Sequence, residues 1–234
     1  MLKNNEEKNI CCKSNFNCNN YDKPDKKYHF NEAPKIGLQN IGATDYMNVV
    51  IQCLCHIPAL VNFFKYTIKS NDIALNNKDN LTSSFKLLIE NLWPDNINHS
   101  KYAVYAPYEF KNKISKMNPL FEGIRENDAK DLLEFIIITL HEELNKAKKD
   151  YSNNNKNLDL RNKNLAFESF AKNFMENNKS IISDLFYGTY CTSTQCGGCS
   201  TKLFNYGTYS FIIFPLEEDH NLKIIVISSL LIII

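Results

Sequence analysis

Two short segments of the chain contain residue types and spacings that could do chemistry. The first, GLQNIGATDYMN at residues 37–48, places Asn40 and Asp45 beside two glycines, where an amphipathic helix is about to begin. A carboxylate at the first position of a helix accepts backbone amide hydrogen bonds and offsets the positive end of the helix dipole. Asn40 is a residue type that commonly forms such turns. These residues alone favour a well-capped helix start.

The second segment is the turn Cys196-Gly-Gly-Cys199, which has the spacing of a zinc knuckle. A structural zinc ion is held by four ligands, and these two cysteines supply only half of them. Cys191 is the nearest third candidate, but the alternation of a strand can direct it to the opposite face. We therefore expect a reduced turn and no required cofactor. Zinc at Cys196 and Cys199, as an incomplete half site, is the alternative.

The elements that would position these segments are helices first and strands later. Apolar residues recur at helical spacing in six segments, which are residues 44–56, 58–68, 81–93, 107–117, 127–148 and 165–178. The period then becomes extended, which predicts strands at 180–195 and 200–216 on either side of the cysteine turn. This order indicates an α+β fold in which helices are segregated from an antiparallel sheet.

Three segments differ in composition from the rest of the folded part, which we predict to span residues 34–216. Residues 1–33 are rich in Asn and Lys and are expected to be a disordered or loosely attached tail. Residues 151–164 have a similar composition and are expected to form a solvated loop. Residues 217–234 end in an apolar run shorter than the roughly 20 residues of a membrane-spanning helix. We expect this end to be truncated.

Net charge and cysteine usage limit the partners and the compartment. The chain has 27 basic and 26 acidic residues, so its net charge of +1 does not favour nucleic acid or an anionic membrane as partner. The N-terminus lacks the apolar stretch of a secretory signal, and the eight cysteines are scattered rather than arranged as a disulfide framework. We expect reduced thiols, Cys11, Cys12 and Cys18 among them, and a cytoplasmic or nuclear location.

The first segment, extended to GLQNIGATDYMNVVIQCL, resembles the cysteine box of the ubiquitin-specific proteases, G-L-x-N-x-G-N/A-T-C-Y-M-N-S-x-x-Q-x-L. The matching residues are Gly37, Leu38, Asn40, Gly42, Ala43, Thr44, Tyr46, Met47, Asn48, Gln52 and Leu54. Two positions depart from the pattern. Val49 stands where Ser is usual, and Asp45 stands where the nucleophilic cysteine is expected.

Two later blocks resemble the same family in the same order. RENDAKDLLEFIIITLHEEL at residues 125–144 is similar to the family's Q-Q-D-A-x-E-F-L helix, and residues 180–216 are similar to the stretch that leads to the first C-x-x-C of the fingers. The resemblance implies a papain-like cysteine protease fold. The chain would hold the helical thumb and the first antiparallel strands of the fingers, with the domain incomplete.

The resemblance also implies how the departures from the family pattern would affect catalysis. Active relatives use a thiolate at position 45, whereas a carboxylate is a poor nucleophile toward an amide. Asn40 matches the position that stabilises the oxyanion. The block G-H-Y, which carries the general base in active relatives, has no match, and we assign no such role to His29, His56, His141 or His220. We therefore expect a catalytically inactive domain.

Three hypotheses about the function remain. We expect a pseudoenzyme that binds ubiquitin, a ubiquitinated protein or a scaffold partner weakly. One alternative is a fragment or substituted form of an active ubiquitin isopeptidase, and another is a truncated product with no stable function. The acidic pair Glu142 and Glu143 is expected to be a solvated helix face rather than an acid/base dyad.

Overall fold

The computed structural model describes residues 7–9, 36–68, 80–94, 104–147 and 160–212. These residues fall into two units, one within residues 18–145 and the other within residues 1–17 and 146–234. We call the first the helical unit and the second the sheet unit. The predicted C-terminal segment 217–234 lies outside the described residues.

The helical unit contains five α-helices and a short pair of parallel strands among its described residues. The helices are α1 (Asp45–Cys55), α2 (Pro58–Asn62), α3 (Leu81–Leu92), α4 (Tyr108–Met117) and α5 (Ala129–Leu144). A π-helical segment, Phe63–Thr67, continues α2, and a 3₁₀ turn, Pro119–Phe121, follows α4. The strands β2 (Gly37–Leu38) and β3 (Val104–Tyr105) pair in parallel.

Helical spacing of apolar residues explains why α1 and α5 form and pack together. The buried side chains of α1 are Tyr46, Met47, Val50, Ile51, Leu54 and Cys55, and those of α5 include Leu132, Leu133, Ile136, Ile137 and Leu140. Pro58 occupies the first turn of α2, where it removes no helical hydrogen bond. The predicted helix at 127–148 is shorter in the structure. Asp128 caps its start by accepting from the backbone N–H of Lys130 at 2.7 Å.

The start of α3 is capped by a residue from α5. The carboxylate of Glu143 accepts from the backbone N–H groups of Leu81 and Thr82 at 2.8 and 2.7 Å, and from the Thr82 hydroxyl at 2.6 Å. Asn80 also accepts from the Ser83 N–H at 3.0 Å. The expectation that Glu142 and Glu143 form a solvated pair is therefore wrong for Glu143, because its partners come from a helix that is distant in sequence.

The sheet unit contains a three-stranded antiparallel sheet in the order β1, β4, β5. Its strands are β1 (Glu7–Asn9), β4 (Gly188–Gln195) and β5 (Lys202–Tyr209), with Gly188 opposite Tyr209 and Gln195 opposite Lys202. Helices α6 (Lys163–Asn177) and α7 (Ile181–Phe186) precede β4. The Phe167 and Phe170 rings of α6 pack against Tyr206 of β5, with ring centroids 5.3 and 5.9 Å away. The predicted hairpin around the cysteine turn is present, and the α+β prediction is confirmed.

Residues 181–186 form a helix, although we predicted a strand through residues 180–195. Ser180 and Ser183 form a capping box, in which the Ser183 N–H donates to Ser180 Oγ at 3.0 Å and the Ser180 N–H donates to Ser183 Oγ at 3.2 Å. Two isoleucines follow Ser180 and suggested a strand, but the cap and their burial favour one helical turn.

The boundaries of the predicted polar segments also change. Glu7–Asn9, within the expected disordered tail, pairs with β4, with Lys8 opposite Thr192, while the other residues of 1–33 lie outside the described part. Helix α6 begins at Lys163, inside the predicted loop 151–164, because the Asn162 side chain accepts from the N–H of Asn164 and caps it.

In the described segments, no single helix has both the length and the apolar character needed to cross a membrane. Helix α1 and the stretch Pro58–Thr67 would reach that length and composition together, but they are bent by 82° relative to each other.

Candidate functional site

The turn before α1 is organised by the side chain of Asn40. Its Oδ1 atom accepts from the backbone N–H of Gly42 at 3.0 Å, from the backbone N–H of Thr44 at 3.1 Å and from the Thr44 hydroxyl at 3.2 Å. The Thr44 Oγ1 atom in turn accepts from the N–H of Ile41 at 3.0 Å. Thr44 is fully buried, so Asn40 and Thr44 fix the turn from its inner side.

The Asn40 amide holds the turn through its oxygen, so its nitrogen is not used in these hydrogen bonds. Asn40 is exposed, and its Nδ2 atom forms no hydrogen bond with any residue in the described segments. A donor of fixed direction without a partner is suited to a developing negative charge. The oxyanion role of Asn40 stays a prediction.

Asp45 is the first residue of α1, and its side chain is exposed. The helix N-cap is Thr44, and Asp45 forms no hydrogen bond or ion pair with a residue in the described part of the chain. The expectation that Asp45 caps the helix is therefore wrong, because Thr44 occupies the N-cap position and the Asp45 carboxylate accepts no hydrogen bond from the described residues. The helix dipole still favours a negative charge at this position.

The backbone at this turn adopts conformations that ordinary side chains avoid. Gly42 has φ of +119° and Ala43 has φ of +47°. A Cβ atom at position 42 would lie 3.2 Å from the Cγ2 atom of Ile124. The positive φ therefore favours Gly at position 42, where a Cβ atom would also press on the side chain of Ile124, which is itself 81% exposed.

The loop that carries Ile124 is held by Lys111 of α4. The Lys111 Nζ atom donates to the carbonyl oxygen of Phe121, to that of Gly123 at 3.1 Å and to the Ser115 hydroxyl at 3.2 Å. Burial lowers the pKa of Lys111, and the nearby Arg125 charge lowers it further. No role for Lys111 follows from the sequence, because two of its partners are backbone carbonyls that a spacing pattern cannot identify.

Two residues near the start of α1, Tyr46 and Asn48, contact residues outside the helix. The Asn48 Nδ2 atom donates to the carbonyl oxygen of Gln39 at 3.2 Å, and the Tyr46 ring stacks on Phe121 with centroids 6.3 Å apart. Burial raises the pKa of the Tyr46 phenol, and the negative charge of Asp45 adds to the rise. The Asn127 side chain lies nearby and acts in the opposite direction, lowering the pKa of Tyr46. The Tyr46 hydroxyl has no hydrogen-bond partner among the described residues.

Comparison with known proteins decides the family. A family model described as "Ubiquitin carboxyl-terminal hydrolase" matches residues 36–232. The chain belongs to the ubiquitin carboxyl-terminal hydrolase family. The matched range contains both the turn before α1 and the cysteine hairpin, so the prediction of a deubiquitinase-like, ubiquitin-specific protease domain is confirmed.

Curated relatives support the same family. The chain is 32% identical over 213 residues to Ubiquitin carboxyl-terminal hydrolase 15 of Xenopus tropicalis, covering 89% of this chain and 21% of that protein. It is 31% identical over 186 residues to Putative ubiquitin carboxyl-terminal hydrolase 11 of Arabidopsis thaliana, covering 78% and 20%. The chain thus spans about a fifth of the length of these relatives.

Solved structures of the SAGA Ubp8/Sgf11/Sus1/Sgf73 DUB module are also similar to this chain. One, bound to monoubiquitin, is 19% identical with a TM-score of 0.49 and covers 76% of this chain and 36% of that chain. Another, bound to ubiquitin aldehyde, is 22% identical with a TM-score of 0.48 and covers 74% and 33%.

In this family member, two of the histidines that we considered, His56 and His141, lie in the described residues, and both are far from Asp45. His56 follows the last residue of α1, about 16 Å along the helix from Asp45 at 1.5 Å per residue. The start of α5 lies near the start of α1, because Asn127 approaches Tyr46, but His141 is buried about 18 Å further along α5. His29 and His220, to which we also assigned no such role, lie outside the described residues.

The cysteine hairpin of this family member does not bring together enough ligands for zinc in the described residues. Cys196 and Cys199 are exposed at the turn, whereas Cys191 is buried on β4. No group of three or more potential metal-ligating side chains occurs anywhere in the described part of the chain. A structural zinc ion requires four ligands, so the two thiols present do not fit it by themselves.

Proposed function

We propose that this chain binds ubiquitin, either free or attached to another protein, and does not hydrolyse the isopeptide bond. Family membership supports ubiquitin as the ligand. The observation that carries the proposal is Asp45, an exposed carboxylate at the helix position where the resemblance expects the nucleophilic thiol.

The chemistry of a carboxylate explains the expected loss of activity. A thiolate at a helix N-terminus is stabilised by the dipole and attacks a carbonyl carbon readily. The carboxylate of Asp45 would form a mixed anhydride that reverts, and its negative charge would lie where the oxyanion develops. Loss of the nucleophile in a catalytic triad lowers turnover on the order of a millionfold.

Exposed apolar side chains beside Asp45 support a binding role. Val49 lies one helical turn after Asp45, on the same face of α1, and is 52% exposed. Ile124, beside Gly42, is also highly exposed. Exposed apolar side chains are available to a protein partner, so we assign Val49 and Ile124 to contact with ubiquitin.

Activity can be tested with ubiquitin that carries a fluorogenic amide at its C-terminus. We expect the wild-type chain to release no fluorophore above the rate in buffer. Asp45→Cys should not recover turnover, because neither His56 nor His141 lies within reach of position 45. Release by the wild type would contradict the proposal, and release by Asp45→Cys would show that another group serves as the general base.

Binding can be tested separately by titrating isotopically labelled ubiquitin with the chain and recording its NMR spectrum. We expect concentration-dependent shifts that report weak binding. Val49→Asp should weaken the affinity roughly tenfold, or about 1.4 kcal/mol, by removing an apolar contact. Leu87→Asp is the matched control, because Leu87 is also exposed but lies on α3. Absence of shifts, or equal weakening by both variants, would contradict the proposal.

A further inference from the structure

The carboxylate of Asp45 is both a hydrogen-bond acceptor and a negative charge that a ligand can reach. Its side chain is exposed at the first position of α1 and has no hydrogen-bond or ion-pair partner among the described residues. The neighbouring cations Lys111 and Arg125 donate to backbone carbonyls instead. The charge of Asp45 acts on its surroundings, since it adds to the rise in the pKa of the Tyr46 phenol. A ligand at this turn would therefore meet a carboxylate without a salt-bridge partner in the described part of the chain.

The helix dipole of α1 reduces this charge without cancelling it. The N-cap residue Thr44 forms no side-chain hydrogen bond with the first N–H groups of α1, and Asp45 is the acidic residue of the first turn. A helix N-terminus corresponds to roughly half of a positive elementary charge, whereas the carboxylate carries a full negative charge. The sum is about half of a negative charge. An anionic group is therefore disfavoured at a helix start that would otherwise attract it.

The proposed function brings the carboxyl terminus of ubiquitin to this carboxylate, and the inference rests on that function. The family description names the carboxyl terminus of ubiquitin as the group on which its members act. Asp45 stands where the resemblance expects the nucleophile, which must approach that terminus. Ubiquitin that covers Val49 on the same face of α1 would also remove water from around Asp45 and strengthen its electrostatic interactions. The group attached to the ubiquitin terminus therefore decides what Asp45 meets.

Free and conjugated ubiquitin differ in charge at this terminus. Free ubiquitin ends in a carboxylate, whereas ubiquitin joined to a lysine of another protein ends in a neutral isopeptide. Half of a negative charge about 4 Å from a carboxylate, at a dielectric constant between those of water and a protein surface, corresponds to a roughly fivefold loss of affinity. The isopeptide N–H can instead donate a charge-assisted hydrogen bond to the Asp45 carboxylate. Both effects favour the conjugate.

We propose that Asp45 selects ubiquitin that is conjugated through its carboxyl terminus and disfavours free ubiquitin. The carboxylate repels the charged terminus of the free protein and accepts from the isopeptide N–H of the conjugate. Val49 and Ile124 contribute to the affinity for both forms, because they contact the body of ubiquitin and not its terminus. The residue at the nucleophile position thus determines which form of ubiquitin binds.

Titration of the full chain with two ubiquitin ligands, followed by NMR, tests this preference. One ligand is ubiquitin with its free carboxylate. The other is ubiquitin joined by an isopeptide bond to the lysine of acetyl-Gly-Lys-Gly-amide, a peptide that adds no charge. At about 0.1 M salt we expect the conjugate to bind about fivefold more tightly. The preference should fall below about twofold at about 1 M salt, where the Debye length is only about 3 Å.

Asp45→Asn removes the charge and keeps an oxygen acceptor, so the affinities for the two ligands should come within about twofold of each other. Glu142→Gln is the matched control, because Glu142 is an exposed acid about 20 Å along α5 from the start of that helix, and it should keep the wild-type preference. Equal affinities in the wild type, or an unchanged preference in Asp45→Asn, would overturn this inference alone. Binding of neither ligand would overturn the proposed function as well.

Discussion

Position 45 contributes little to the structure of the turn that precedes it. Asn40 and Thr44 supply the side-chain hydrogen bonds that hold this turn, and Asp45 makes none within the described residues. A change from thiol to carboxylate at this exposed position would therefore alter the chemistry and leave the fold intact. Under the proposed function, this is how the helix start could be kept without a thiol at position 45.

Asn40 holds the turn and Asp45 does not, and this difference can be tested by measuring the free energy of unfolding of variants at the two positions. We expect Asn40→Ala to lower the free energy of unfolding by about 1–3 kcal/mol, because the buried N–H and hydroxyl of Thr44 lose their acceptor. Asp45→Ala should cost less than about 1 kcal/mol, because only the favourable interaction with the helix dipole is lost. Urea denaturation of both variants tests this, and a larger loss for Asp45→Ala would contradict it.

The reactivity of Cys199 should depend on the hydroxyl of Thr201. This hydroxyl is the largest cause of the lowered pKa of Cys199, so Thr201→Val should raise that pKa above about 7. Fewer thiolates would then be present at neutral pH, and the rate of alkylation by iodoacetamide would rise only at higher pH. Thr201→Ser keeps the hydroxyl and should retain the wild-type profile. Unchanged profiles for both variants would show that another group stabilises the thiolate.

At the scale of elements, the link between α3 and α5 depends on Glu143. We expect Glu143→Ala to destabilise the chain by about 2–3 kcal/mol, because it removes charged hydrogen bonds to two backbone N–H groups and a hydroxyl at the start of α3. Glu142→Ala is the matched control, since Glu142 is the exposed neighbour and should change stability by less than about 0.5 kcal/mol. Equal effects in a denaturation experiment would show that the cap contributes little.

Local sequence patterns predicted most of the helices and strands. They were wrong at residues 181–186, where a helix cap outweighed the β-propensity of the isoleucines. Helix α1 and the β4–β5 hairpin could be predicted because their apolar residues follow one period and turn residues mark their ends. Helix α7 was assigned to a strand because its isoleucines are β-branched, and the Ser180 cap reversed that preference. A single helical turn gives too few residues for its period to be recognised.

At the scale of the whole molecule, the sequence identified the family and the turn before α1, but not the contacts that support them. Asn40 and Asp45 could be found because the surrounding motif fixes their spacing. The Glu143 cap, the Lys111 contacts and the approach of Ile124 to Gly42 each join residues far apart in sequence. Such pairs depend on tertiary packing, so no local pattern reveals them.

The measurement that tests the central claim most directly is intact mass spectrometry of the wild-type chain after incubation with ubiquitin bearing a C-terminal propargylamide. This electrophile captures a thiol that is aligned with the bound ubiquitin C-terminus. We predict that the mass of the chain does not change, because Asp45 supplies no sulfur at the start of α1. A covalent ubiquitin adduct on the wild-type chain would contradict the account.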